Sequence, residues 1–315
     1  MSEVPLYDRR TGEIRSEIVY EKWFMDRFYG TRWGRWITSL LLAPRPFSRL
    51  YGWTQRRPGT RRKIAPFVER YGIDPTESEQ PPAAYPSFAD FFARRIRPER
   101  RPIDPDPGAL IAPADGRLLH FPVRQGRVYP VKGAHFALGE LAPGTRALSR
   151  FDGGTCLILR LAPSDYHRFC YVDDAVQSPV HVVPGGLHSV SPLALRHGLR
   201  VFPGNHRHHC TLETRRFGPV LQIEVGALTV GSIRQRHPDG GRVRRGEEKG
   251  WFELGGSTLI LVFESGRVEV DEDILEQSRA GIETLVRLGE AIGQGSGDEH
   301  PRRDDRPAPP GEAAP

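Results

Sequence analysis

Between residues 17 and 42 apolar side chains return at helical intervals: Tyr20, Phe24 and Phe28 stand four apart, and Met25, Tyr29, Trp33, Trp36 or Ile37, and Leu40 extend the stripe. Lys22, Arg27, Arg32 and Arg35 fill the other faces, Gly30 and Gly34 interrupt the pattern, and Pro44 and Pro46 end it. A basic stretch follows, with a helix expected over 62–71 and a polar, proline-containing linker over 74–82. Residues 87–94 read as a short amphipathic helix with Ser87 as N-cap. The texture then becomes β: short runs of Val, Ile, Leu and Phe separated by Gly, Pro and Asp predict strands at 110–112, 117–121, 155–161, 180–183, 208–214, 220–225, 228–233 and 259–263. A last helix is expected over 271–291, and from Gly293 onward the composition is that of a disordered tail. The fold class is α+β: a β-rich, sandwich- or barrel-like domain with N-terminal amphipathic helices and a C-terminal helix.

At 315 residues the chain suits one large domain with extra segments. The expected division is a helical, membrane-associating region over 1–82, a catalytic domain over 83–292 and the tail over 293–315. Lys and Arg exceed Asp and Glu by 45 to 39, but the arginines are dispersed and form no nucleic-acid motif. An anionic membrane surface is the better partner, because tryptophan, tyrosine and phenylalanine beside arginine suit a helix lying among lipid headgroups. The bland alternative is a helix packed on the protein's own core. Three scattered cysteines, Cys156, Cys170 and Cys210, make no disulfide framework. The N-terminus lacks a secretory signal, and the longest nearly apolar run, 36–43, is far short of the roughly 20 residues that span a bilayer. The expected location is therefore peripheral, on the cytoplasmic face of the cell membrane.

Chemistry enters at Gly255-Gly256-Ser257-Thr258, between a charged turn and the apolar strand 259–263. A hydroxyl after a flexible Gly-Gly pair can turn back onto the preceding carbonyl, permitting an N-to-O acyl shift, cleavage and conversion of the serine to a pyruvoyl group. An ordinary turn is the alternative. Asp115 in Pro-Ala-Asp-Gly and His167 in Asp-Tyr-His-Arg each follow a strand. Alone each reads as structural, but acid, imidazole and hydroxyl together are the minimum set for activating a serine. His206, His208 and Cys210 share one face of an extended strand, but a fourth ligand is missing, so no metal is expected.

Taken together, FADFFARRIRPERRPI at 88–103, APADG at 112–116, VKG at 131–133, LAPSDYHRF at 161–169, PGGLHSV at 184–190, VGALTVGSI at 225–233 and GEEKGWFELGGST at 246–258 resemble the phosphatidylserine decarboxylase family, in the family's order. YDRRTGEI and YGTRWGR near the N-terminus are similar to its longer bacterial branch. The resemblance implies a proenzyme cleaved between Gly256 and Ser257 into chains 1–256 and 257–315. Ser257 becomes a covalent pyruvoyl cofactor, and Asp115 and His167 assist the cleavage. The implied reaction converts phosphatidylserine to phosphatidylethanolamine and CO2, with the pyruvoyl ketone taking up the electrons that CO2 leaves behind. A homodimer is left open. One departure stands out: many members carry a second histidine three positions after the first, where this chain has Cys170. His188 is the candidate to cover the missing role, with Cys170 as a supporting weak acid or a plain buried thiol. The alternatives are a pyruvoyl decarboxylase of another serine phospholipid or amino acid, and a catalytically silent lipid-binding homologue.

Overall fold

A computed structural model of the chain describes residues 4–17, 45–131, 134–190, 201–227, 232–255 and 257–296. The longest apolar runs make its centre. Thr155–Leu161, Ser257–Phe263 and Pro219–Gly226 lie side by side, and the last two are buried at every position. Strands buried on both faces need two cores. Leu259, Leu261 and Phe263 join Leu157, Leu159 and Leu161 on one side of the sheet, while Ile260 and Val262 join Ile158, Leu221 and Ile223 on the other.

Around these three the sheet runs Gly241–Val243, Ala175–Gln177, Arg207–Thr214, Pro219–Gly226, Ser257–Phe263, Thr155–Leu161, Gly116–Pro122, Glu283–Val286, Pro5–Asp8 and Glu13–Ser16, with His181–Val183 also on Arg207–Thr214. Every neighbouring pair is antiparallel except Pro5–Asp8 with Glu283–Val286. The architecture is α+β. Among the described residues no barrel closes, because the sheet ends at Gly241–Val243 and Glu13–Ser16. Three small sheets complete the β structure; one of them pairs Ser232–Gln235, Glu248–Glu253 and Arg168–Cys170 beside the site.

Helices Ile64–Tyr71 and Phe88–Phe92 pack against each other. Ser87 caps the second, accepting from the Asp90 amide at 3.3 Å. Their apolar faces meet in a separate cluster of Ile64, Phe67, Tyr85, Phe88, Phe91, Phe92 and Leu254.

Three expectations need correction. The N-terminal region is not helical at its start: Pro5–Asp8 and Glu13–Ser16 form a hairpin on the sheet edge. Its anchor is Glu17, whose carboxylate meets Arg117 Nε at 2.8 Å and Arg160 Nη2 at 2.7 Å. The C-terminal helix spans only Glu272–Ala280, because Gly281 at φ +72° turns the chain into a left-handed cap. Residues read as its second half form the strands Glu283–Val286 and Ala291–Gly295. The tail therefore does not begin at Gly293, which pairs with Val270 and Leu110. Most of the helix expected over 17–42, the first four residues of the strand expected over 228–233, and residues 297–315 lie outside the described residues.

Candidate functional site

Ser257 opens a central strand, opposite Leu161 on one side and Gly226 on the other. It is fully buried, and its hydroxyl has no hydrogen-bond partner among the described residues. Burying such a group unpaired costs free energy, and a catalytic role is one reason a fold retains it. The approach to it is strained: Leu254 at φ +61° and Gly255 at φ +82° are successive left-handed residues, and only the second is a glycine. Leu254 is held there by burial against the Phe88–Phe92 helix. Gly256, the residue before Ser257, lies outside the described residues.

The same helix covers His167, whose ring sits 4.2 Å from that of Phe92, centroid to centroid. His167 is 1 % exposed, and its carbonyl accepts from the Phe252 amide at 2.9 Å, tying it to the strand that leads into the Leu254–Gly255 turn. Its Nδ1 donates to the Asp165 carbonyl at 2.9 Å, which leaves Nε2 as the unprotonated nitrogen, with no hydrogen bond among the described residues. Burial pushes the pKa down to about 3; the carbonyls of Asp165 and Gly255 oppose this, and the Arg94 charge adds to it. The imidazole is thus neutral at pH 7, with the Gly255 main chain beside it.

Asp115 is placed differently from expectation. Arg101 grips both its oxygens, at 2.8 Å from Nε and 2.7 Å from Nη2, and the Leu288 amide donates to Oδ1 at 2.9 Å. No hydrogen bond joins it to His167 among the described residues; the group that orients the imidazole is the main chain of Asp165. The Asp165 side chain is itself fixed by Arg117 and by the Ala162 amide at 2.7 Å.

His188 is linked to the site through Asn205, a fully buried amide that stands beside the histidine run without a sequence signal of its own. Asn205 Oδ1 accepts from the His188 amide at 3.0 Å, and its Nδ2 donates to the carbonyls of His188 and Gly226, each at 2.8 Å. Because Gly226 faces Ser257 in the ladder, this staple ties the His188 loop to the serine's own neighbour. Gly185 allows the loop to press this close, since a Cβ there would stand 2.4 Å from the Asn205 carbonyl carbon. Burial lowers the His188 pKa, and its Nδ1 has no partner among the described residues.

Cys170 is buried, with its amide on the Pro113 carbonyl at 2.8 Å and its thiol pushed up to about 12 by burial. It is a neutral thiol at pH 7. The residues weighed as a metal face are otherwise engaged: His206 Nδ1 meets the Val183 carbonyl at 3.0 Å, His208 Nδ1 meets Gln235 at 3.3 Å, and Cys210 lies beside Lys249.

A model of the phosphatidylserine decarboxylase family matches residues 88–294. A phosphatidylserine decarboxylase proenzyme of Chlamydia felis is 40% identical over 300 residues, covering 95% of this chain and 100% of the relative. Proteins of the same name from Desulfitobacterium hafniense and Clostridium perfringens are 39% and 38% identical, each over 92% of this chain. Together with a buried serine after a Gly-Gly pair and a neutral histidine against Gly255, these matches establish that the chain belongs to the phosphatidylserine decarboxylase family.

Proposed function

We propose that the chain is a self-processing proenzyme that converts phosphatidylserine to phosphatidylethanolamine and CO2. The observation that carries the proposal is the Ser257 hydroxyl, buried at the head of a central strand with no partner among the described residues, and neutral His167 against the turn before it. His167 takes the hydroxyl proton, Ser257 Oγ attacks the Gly256 carbonyl, and the Gly256–Ser257 C–N bond breaks as its nitrogen takes up the proton, giving an ester and a free amine. Elimination leaves the Gly256 carboxylate on one chain and a dehydrated residue on the other, which water converts to a ketone with release of ammonia. The resulting pyruvoyl group supplies an electron sink for the bond to CO2. The full burial of Ser257 suits a small group made in place, since no separate cofactor needs to enter. His167 or His188 returns a proton to the substrate α-carbon, while Asp115, fixed by Arg101, contributes its charge to the surroundings. Intact mass of the purified protein, with CO2 release from phosphatidylserine, tests the reading: two chains divided at Gly256-Ser257 with a pyruvoyl terminus support it, and full activity in one intact chain overturns it.

Peripheral membrane attachment belongs to the same proposal. Among the described residues no helix is long and apolar enough to cross a membrane. Helix Arg45–Gln55 exposes Leu50 and Trp53, at 61% and 56%, and Arg57 lies 3.9 Å over the Trp53 ring. Arg61, Arg62 and Lys63 follow. Apolar side chains beside cations suit a layer of anionic headgroups. The double variant Leu50→Asp, Trp53→Asp is expected to cut flotation with anionic liposomes by about tenfold, and salt to weaken the wild type. Unchanged flotation of the variant would place the contact elsewhere.

A further inference from the structure

Among the described residues, Arg94 carries a charge without a counter-ion. The residue is 4% exposed, yet among the described residues no carboxylate forms a salt bridge with it. Its guanidinium donates from Nη2 to the Ser164 carbonyl at 3.2 Å and lies 4.9 Å from the centroid of the Phe91 ring. Nη1 is buried with no partner among the described residues. The two nearby acids are committed elsewhere, Asp115 to Arg101 and Asp165 to Arg117. Burial accordingly pulls the Arg94 pKa down, against the pull of Asp115, Tyr85 and Asp165. A buried cation in this condition is expensive, and an incoming anion would relieve the cost.

Its place in the fold says where that anion would sit. Arg94 follows Phe92, which packs on His167, and Ser164 precedes Asp165, whose carbonyl holds His167 Nδ1. The Arg94 charge is felt at the imidazole. We propose that Arg94 is the anion-binding residue of this site and receives the phosphodiester of the substrate headgroup. The inference rests on the decarboxylase reading above, and it adds the group that selects a phospholipid over a free amino acid.

The substrate offers a carboxylate and a phosphodiester, and the chemistry separates them. The carboxylate loses its charge as CO2 departs, so an arginine paired with it would hold the ground state more tightly than the transition state and slow the reaction. The phosphodiester keeps its charge throughout and matches the fork of a guanidinium. Pairing with it is uniform binding, which appears in KM and not in kcat.

The test uses the processed protein with soluble glycerophosphoserine as substrate, comparing wild type with Arg94→Met and Arg94→Lys. The expected result is a KM raised by about tenfold or more in Arg94→Met with kcat within about twofold, and an intermediate KM in Arg94→Lys. Inhibition by glycerophosphoethanolamine, which has the phosphodiester and no carboxylate, weakens in parallel, whereas inhibition by free L-serine does not. The melting temperature of Arg94→Met is expected to equal or exceed that of the wild type, since an uncompensated buried charge is removed. An unchanged KM, a loss confined to kcat, a weakened effect of L-serine alone, or a drop in melting temperature that tracks the loss of activity each overturns the proposal. If Arg94→Met does not fold, Arg94→Lys decides the question: a KM raised several-fold with kcat kept supports the proposal, and an unchanged KM overturns it. A wild type that is neither cleaved nor active on glycerophosphoserine or phosphatidylserine would instead sink the decarboxylase reading.

Discussion

His167→Ala is expected to leave the protein as one chain of 315 residues on a denaturing gel, while His188→Ala is cut to completion. The difference follows from what each imidazole touches. His167 lies against Gly255, two residues from the serine, and offers an unprotonated Nε2. His188 reaches the same neighbourhood only through Asn205 and Gly226. Removing a positioned general base costs about 10²- to 10⁴-fold in rate, enough to stop processing on the time scale of expression. For His188→Ala the expected loss is in CO2 release from phosphatidylserine after normal cleavage. If that variant decarboxylates like the wild type, His188 only shapes its loop, and His167 serves both steps. Cys170 gives little cover for either, because its thiol is held neutral by burial.

The depressed pKa of His167 adds a pH signature. An ordinary histidine would lose its base function as pH falls through about 6.5, but this one stays neutral until about pH 3. The rate of self-cleavage is therefore expected to be flat from pH 8 to about pH 5, measured on freshly refolded chain. The linkage has a definite sign. In the window between the two pKa values the unfolded chain binds the proton and the native chain does not, so His167 makes stability fall as pH drops from about 6.5 toward 3. A cleavage rate that halves near pH 6.5 would show that another group is the base.

The centre of this fold was legible because its strands are continuous apolar runs bounded by turn residues, and 155–161 matches the observed strand end to end. The strands that escaped notice are short or mixed. Glu248–Glu253 reads as a charged stretch because its inward positions include Lys249 and Gly250, and Arg168–Cys170 is three residues long. Glu283–Val286 was absorbed into a helix because Ile282, Leu285 and Leu288 also fit a helical stripe, and Gly281 was the stop signal to heed. Ser257 and His167 stood out in the sequence as residues of reactive type in recognisable company. Asn205, Arg94 and the Asp165 carbonyl did not, because their parts depend on burial and on contacts between segments far apart in the chain. The link between Asp115 and His167 looked natural from residue types alone, yet Arg101, fourteen residues upstream, takes up that carboxylate.

Lys249→Met is expected to be among the most destabilising single changes in the molecule, because it orphans a buried carboxylate. Lys249 and Glu224 have side chains that are 0% exposed, with Nζ 2.9 Å from Oε1. Gln235 bridges them, accepting from Lys249 at 2.8 Å and donating to the other Glu224 oxygen at 3.1 Å. The rings of Phe169 and Tyr171 flank the ammonium at 5.9 Å. Removing one partner of such a pair costs about 3–5 kcal/mol, since the remaining charge has lost its partner inside the core. Replacing both with apolar groups removes that penalty, so Lys249→Met with Glu224→Leu is expected to recover most of the loss. Urea unfolding in the Ser257→Ala background keeps the chain uncut and lets the four stabilities be compared as a cycle. Additive losses would show that the two charges do not depend on each other. The position gives the pair a bearing on the site as well: Glu224 shares a strand face with Gly226, the ladder partner of Ser257, and Lys249 lies on the strand that leads to the Leu254–Gly255 turn. A misplaced Glu224 would therefore disturb both segments that hold the serine, and the single variants are expected to process more slowly than the double variant.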